Sequence, residues 1–294
     1  MVSSMAIHHP HPRATWCDPV SGATLDGRAL MQAMAGRRAV LLGETHDVAE
    51  IHRWQMHVVA ALHQLQPRLA VGFEMFPRRL QPVLDRWVDG QLSTAAFLAE
   101  SEWDTVWGFP AEIYLPLFHF CRQARVPMLA LNCHRPLVTR VGKEGWEAIP
   151  EEERDGVTPA APATPAYRRW LFDLTGAGAR APDPVTSPED PAFDRFVRAQ
   201  QTWDRAFACN IARALGDGTA DLVVGIIGRG HLEYGHGTPY QLADLGVTDA
   251  AVLLPNQDET LAVDPERRLA DAVFRLDVPE PPAARRSRAM LVAG

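Results

Sequence analysis

The sequence predicts an α/β fold, a mostly parallel sheet sandwiched by helices and carrying a helical or irregular insertion. Five nearly continuous apolar runs recur along the chain, helix-length stretches separate the first three, and most of the runs end in a polar or charged group. Strands that are apolar throughout and joined by helices belong to a sheet buried on both faces. The composition agrees. Of 294 residues, 47% are hydrophobic and 22% charged, which excludes a disordered chain and supplies a large core.

Residues 1–36 are polar and proline-marked and read as an N-terminal arm. RRAVLLGE (37–44) then gives the first strand, stopped near Gly43. Residues 47–65 repeat Val48, Ile51, Gln55, Val58, Leu62 and Leu65 at helical spacing, with Asp47 expected to cap the helix. Strands follow at 68–76 (RLAVGFEMF), 126–134 (VPMLALNCH), 220–231 (ADLVVGIIGRGH) and 249–255 (DAAVLLP). Eight of the 24 prolines fall in 150–191, which therefore reads as an irregular insertion or lid. A long helix is expected from Pro191 to Leu215, and a short one from Thr238-Pro239 through Leu245. The domain organisation is thus an arm, a single α/β domain over 37–278 with its insertion, and a disordered tail over 279–294.

The charge balance, 29 basic against 36 acidic residues for a net −7, gives no footprint for a nucleic-acid partner. Four cysteines without CxxC spacing exclude a zinc ribbon and a disulfide framework and read as packed thiols. No run is long enough to span a membrane, and the first 20 residues lack an apolar stretch, so a cytoplasmic location is expected.

The chemistry sits where strands stop. Successive runs end in Glu44-Thr45-His46-Asp47, in Glu74, in Asn132-Cys133-His134 and in Gly230-His231. In a parallel sheet these carboxyl ends share one edge, where open α/β sheets build their sites. Glu44 and His46, two apart in an extended segment, point the same way. Glu44, His46 and His231 could hold a divalent metal such as zinc, manganese or iron, while the same groups with Glu74 could instead work as acid and base. On the late helix, Gln201 and Asp204 lie within an apolar arc of Phe193, Phe196, Val197, Phe207, Ala208 and Ile211. A buried Asp needs a partner, expected in the cleft. Tyr234 and His236 are candidate axial ligands for haem iron. His52, His57 and His63 scatter around their helix and read as packing or solvated side chains, and His8, His9 and His11 as part of the arm.

Together LLGETHD, the GFEMF strand end, LALNCHRPLV, QTWDRAFACNIARAL and IIGRGHLEYGHGTP resemble the ChaN-like haem-binding family, over residues 38 to 254. That family is grouped with Tiki-type metallopeptidases and erythromycin-esterase-like hydrolases. Its motif glutamates and histidines fall on Glu44, His46, Glu74 and His231, and its helix glutamine and aspartate on Gln201 and Asp204. The resemblance implies an α/β sandwich that binds haem through tyrosine, as a cofacial pair across a homodimer, in haem or iron uptake and handling. The wider group implies metal-dependent hydrolysis of a small-molecule substrate instead.

Overall fold

The computed structural model describes residues 7–176 and 185–277. Its elements in chain order are β1 (Ile7–Pro10), β2 (Trp16–Cys17), β3 (Thr24–Leu25), α1 (Gly27–Ala35), β4 (Ala39–Glu44), α2 (Ala49–Leu65), β5 (Leu69–Pro77), α3 (Gln81–Val88), α4 (Thr94–Glu100), α5 (Trp103–Val106), α6 (Leu115–Ala124), β6 (Met128–Asn132), α7 (Arg135–Glu144), α8 (Pro165–Leu174), α9 (Asp194–Gly216), β7 (Leu222–Gly228), α10 (Thr238–Asp244), β8 (Ala250–Asn256), β9 (Thr260–Val263) and β10 (Ala272–Arg275). An eight-stranded sheet runs β3-β2-β10-β8-β4-β7-β5-β6, parallel from β10 to β6 and antiparallel where β2 and β3 join it.

The sandwich follows from the strand sequence. Along β4, Val40 and Leu42 face a core formed with α1, α2, α3 and α6, while Ala39 and Leu41 face the other core, against α9. Alternate side chains point to opposite faces, so a strand apolar at every position is covered twice. The centre of the sheet is β4, flanked by β7 and β8 in parallel register, with Glu44 level with Gly228.

Two segments differ from expectation. From residue 7 onward the supposed arm is part of the fold: β1 pairs with β9, β2 pairs with β10, and Trp16, Cys17 and His11 are buried. Strands of two residues are too short to leave a periodic signal. Within the proline-rich insertion, Pro165 takes the first turn of α8 and Thr164 caps it through its side chain, so proline starts this helix and does not forbid it. The tail over 279–294 lies outside the described residues. Asp47 does not cap α2, whose N-cap position is Val48 with no side-chain bond, and Leu65 is 47% exposed. Among the described residues no helix is long and apolar enough to cross a membrane.

Candidate functional site

β4, β5 and β7 end side by side, and their terminal groups meet. A cleft of about 440 Å³ opens there, lined by His46, Glu74 and His231 with Trp107, Phe109 and Trp203 among its walls. This is within the size of small-ligand sites. Glu44 lies beneath the floor, 1% exposed, and reaches the cleft only through His46.

His46 donates from Nδ1 to Glu44 Oε1 at 2.8 Å. Glu44 is caged from below: the Tyr114 hydroxyl donates to Oε1 at 3.1 Å, and Gln55 Nε2 donates to Oε2 at 3.2 Å. Tyr114 also donates to the His46 carbonyl at 3.0 Å. His52 bonds Gln55 Oε1 through Nδ1 (3.0 Å) and the His46 carbonyl through Nε2 (3.1 Å). The Trp107 and Phe109 rings pack against the imidazole, with centroids 4.7 and 5.3 Å away. Burial pulls the His46 ring down, but Glu44 and Glu74 outweigh it and its proton affinity ends above the ordinary value.

A second assembly faces the first. His231 donates from Nδ1 to Asp204 Oδ1 at 2.8 Å, and Asp204 also accepts from the hydroxyls of Tyr167 and Thr238. Thr238 thereby serves Asp204, and α10 has Gly237 at its N-cap without a side-chain cap. Gly237 adopts φ +59°, and a Cβ there would stand 2.5 Å from the His231 carbonyl oxygen and 2.7 Å from Asp204 Oδ1. Only glycine lets the backbone turn so close to the pair. Burial lowers His231, but Asp204 and Glu74 override it and push the imidazole up to about 9.

Glu74 lies between the two assemblies. His231 Nε2 is 3.9 Å from Glu74 Oε1, and the Gly228 amide donates to Oε2. A Cβ on Gly228 would approach His46 Cε1 to 3.0 Å and Glu74 Oε2 to 3.3 Å, so glycine at the end of β7 makes room for both. Asn132 donates to the Glu74 carbonyl at 2.8 Å and fixes that strand end. Burial pushes the Glu74 carboxyl up, against the pull of both histidines.

The structure therefore brings Glu44, His46, Glu74, Asp204 and His231 together. It does not bring Gln201, whose Nε2 donates to the Ala161 carbonyl at 2.7 Å and ties α9 to the insertion. Tyr234 and His236 also stand apart from the cleft. Tyr234, at φ +61°, packs against Trp170 (5.4 Å) and under the Arg267 guanidinium (4.4 Å), and His236 lies 6.1 Å from it. The expected metal triad is not assembled: among the described residues no group of three or more His, Cys, Asp or Glu is arranged to hold an ion. In both histidines Nδ1 is spent on a carboxylate, which leaves each with a single free nitrogen. Sequence reasoning missed Tyr114, Tyr167, His52 and Gln55, although Gln55 stands out as a polar residue in an apolar helical stripe.

Comparison with known proteins bears on this arrangement. The family described as "Haem-binding uptake, Tiki superfamily, ChaN" matches residues 30–242. A plant protein, RETICULATA-RELATED 5, chloroplastic, from Arabidopsis thaliana, is 25% identical over 222 residues, which are 71% of this chain and 29% of that protein, so the chain spans under a third of its length. Among solved structures, ChaN of Campylobacter jejuni, described by its cofacial heme binding, aligns with TM-score 0.68 at 18% identity over 90% of this chain and 98% of that one. The type III effector HopBA1 aligns at 0.50 with 11% identity, over 95% and 100%. At such identities the likeness is one of fold.

Proposed function

Since the chain belongs to the ChaN haem-binding uptake family of the Tiki superfamily, we propose a function in two steps of decreasing geometric support, the first being that its cleft is a general acid–base centre that hydrolyses a small-molecule substrate. The observation that carries this reading is the convergence of two carboxylate-held histidines, Glu44–His46 and Asp204–His231, on the buried Glu74. Mutually oriented acid and base groups in one cleft are what proton transfer during water addition requires. His46, fixed at Nδ1, takes a proton from water through Nε2 when neutral. His231, held protonated by Asp204, gives its Nε2 proton to the leaving group. Glu74, 3.9 Å from His231 Nε2 and so within ion-pair but not hydrogen-bonding range, returns the proton taken by His46 to His231 through an intervening water and closes the cycle. The test is hydrolysis of a panel of 4-nitrophenyl esters, lactones and amides by the protein and by His231→Asn. A loss of about 10²–10⁴-fold in the variant is expected. Equal turnover by both, or none by the parent, overturns the reading.

One cluster supports haem as a second ligand. Tyr234 offers an oxygen donor, Arg267 a cation beside it and Trp170 an aromatic wall. Burial and Glu233 push the phenol up while Arg267 draws it down, so these residues fit a phenolate only with the cation in place. Haem would there be carried, its iron held by Tyr234 with Arg267 as counter-charge. A Soret shift on hemin titration that disappears in Tyr234→Phe supports this, and an identical shift in the variant overturns it.

A further inference from the structure

One cationic side chain at the cleft has no partner among the described residues, and it indicates what the cleft receives. Arg79 is committed to Glu102 through two hydrogen bonds of 2.6 Å, and Glu74 faces His231. Arg135 also lines the cleft, is exposed at the start of α7, and makes no side-chain hydrogen bond or ion pair with any described residue. Opposite in character are the walls, where Trp107, Phe109 and Trp203 present apolar surface. In a chain of net charge −7, an unspent guanidinium at the mouth of an aromatic cleft is a cation left available to an incoming anion.

We propose that the substrate is an amphipathic carboxylate, whose flat apolar body packs between Trp107 and Trp203 and whose anionic end is held by Arg135. The inference rests on the cleft being the ligand site of the acid–base reading and names the class of molecule it accepts. A guanidinium matches a carboxylate with two parallel hydrogen bonds, which an ammonium cannot do. Low-dielectric walls around a cation also concentrate anions and speed their capture in proportion to how little salt is present. Arg135 is a specificity residue here and takes no part in proton transfer.

The test uses binding, so that it does not depend on turnover. Tryptophan fluorescence is followed as the full chain is titrated with N-benzoylglycine and, separately, with its neutral amide. The carboxylate should bind about 10-fold or more tightly than the amide, the preference should shrink at high salt, and Arg135→Glu should abolish or invert it without moving the Tm. Equal binding of the two probes, binding of neither, or an unchanged preference in Arg135→Glu overturns the inference. A preserved preference in a protein that hydrolyses none of the ester, lactone and amide probes removes the catalytic reading and leaves the ligand class standing.

Discussion

His231 and Asp204 stand 27 positions apart in the chain and 2.8 Å apart in space, nitrogen to oxygen, on the short segment after β7 and in the middle of α9. The carboxylate fixes which imidazole nitrogen carries its proton inward and leaves Nε2 to face Glu74. On the opposite side Glu44 does the same for His46. The two pairs differ in exposure: the His231 side chain is 13% exposed and that of His46 32%. The more enclosed ring is the one driven to about 9.

The proposed acid–base cycle predicts, from that asymmetry, a bell-shaped pH profile. His46 must be neutral to accept a proton, so activity rises as pH passes its raised value above 6.5. His231 must be protonated, so activity falls again near 9. Initial rates across this range check it, and Asp204→Asn should move the alkaline limb downward. His231 also binds its proton more tightly folded than unfolded, so its contribution to stability is complete below 6.5 and is lost as pH rises through about 9. The Tm gap between parent and Asp204→Asn should therefore be largest at the acid end and narrow above 9.

Glu74→Gln should separate function from stability. Burial raises the folded-state affinity of this carboxyl for its proton, so the group costs stability as pH climbs through the carboxylate range, and the amide removes that cost. Thermal melts at neutral pH should show a Tm equal to or above the parent's, while kcat/KM drops by about 10²-fold or more. Gln keeps an oxygen for the Gly228 amide, which limits backbone disturbance.

Tyr167→Phe deletes a hydroxyl that donates to Asp204 from the buried face of α8. Hydrogen bonds to charged groups are worth about 1.5–3 kcal/mol, and urea unfolding should register a loss of that order. The alkaline limb of the pH profile should shift as well, a change that loss of packing alone does not produce.

Gly237→Ala tests the turn that brings α10 against the pair. The substitution meets both a left-handed φ of +59° and the 2.5 Å approach to the His231 carbonyl. We expect about 2 kcal/mol or more of destabilisation by urea titration, together with lost turnover.

Much of this arrangement can be read from the chain. Glu44, Glu74 and His231 were legible because each closes an apolar run, and parallel strands gather such ends on one edge. Asp204 was legible as a charge inside an apolar arc. Gln201, in the same arc, sits about one turn along the helix, and that displacement takes it from the cleft to the Ala161 carbonyl. Tyr114, just before α6, and Tyr167, within α8, were not legible, since a buried aromatic residue reads as core until the position of its hydroxyl is known. The same holds for β2 and β3, which have only two residues each and owe their place to the strands beside them.

The ladder between β4 and β7 holds Glu44 level with Gly228, so the spacing of the two histidine arms is set by main-chain pairing in the middle of the sheet. Trp107, Phe109 and Arg135, by contrast, lie on or beside connecting segments that can change length and sequence without touching that ladder. The protein is in effect a fixed tool with an exchangeable holder. Relatives that keep the tool can come to accept very different molecules by rebuilding the holder alone, and directed evolution of this chain toward a new substrate should draw its useful changes from 103–113 and 133–136 and almost none from the strand ends.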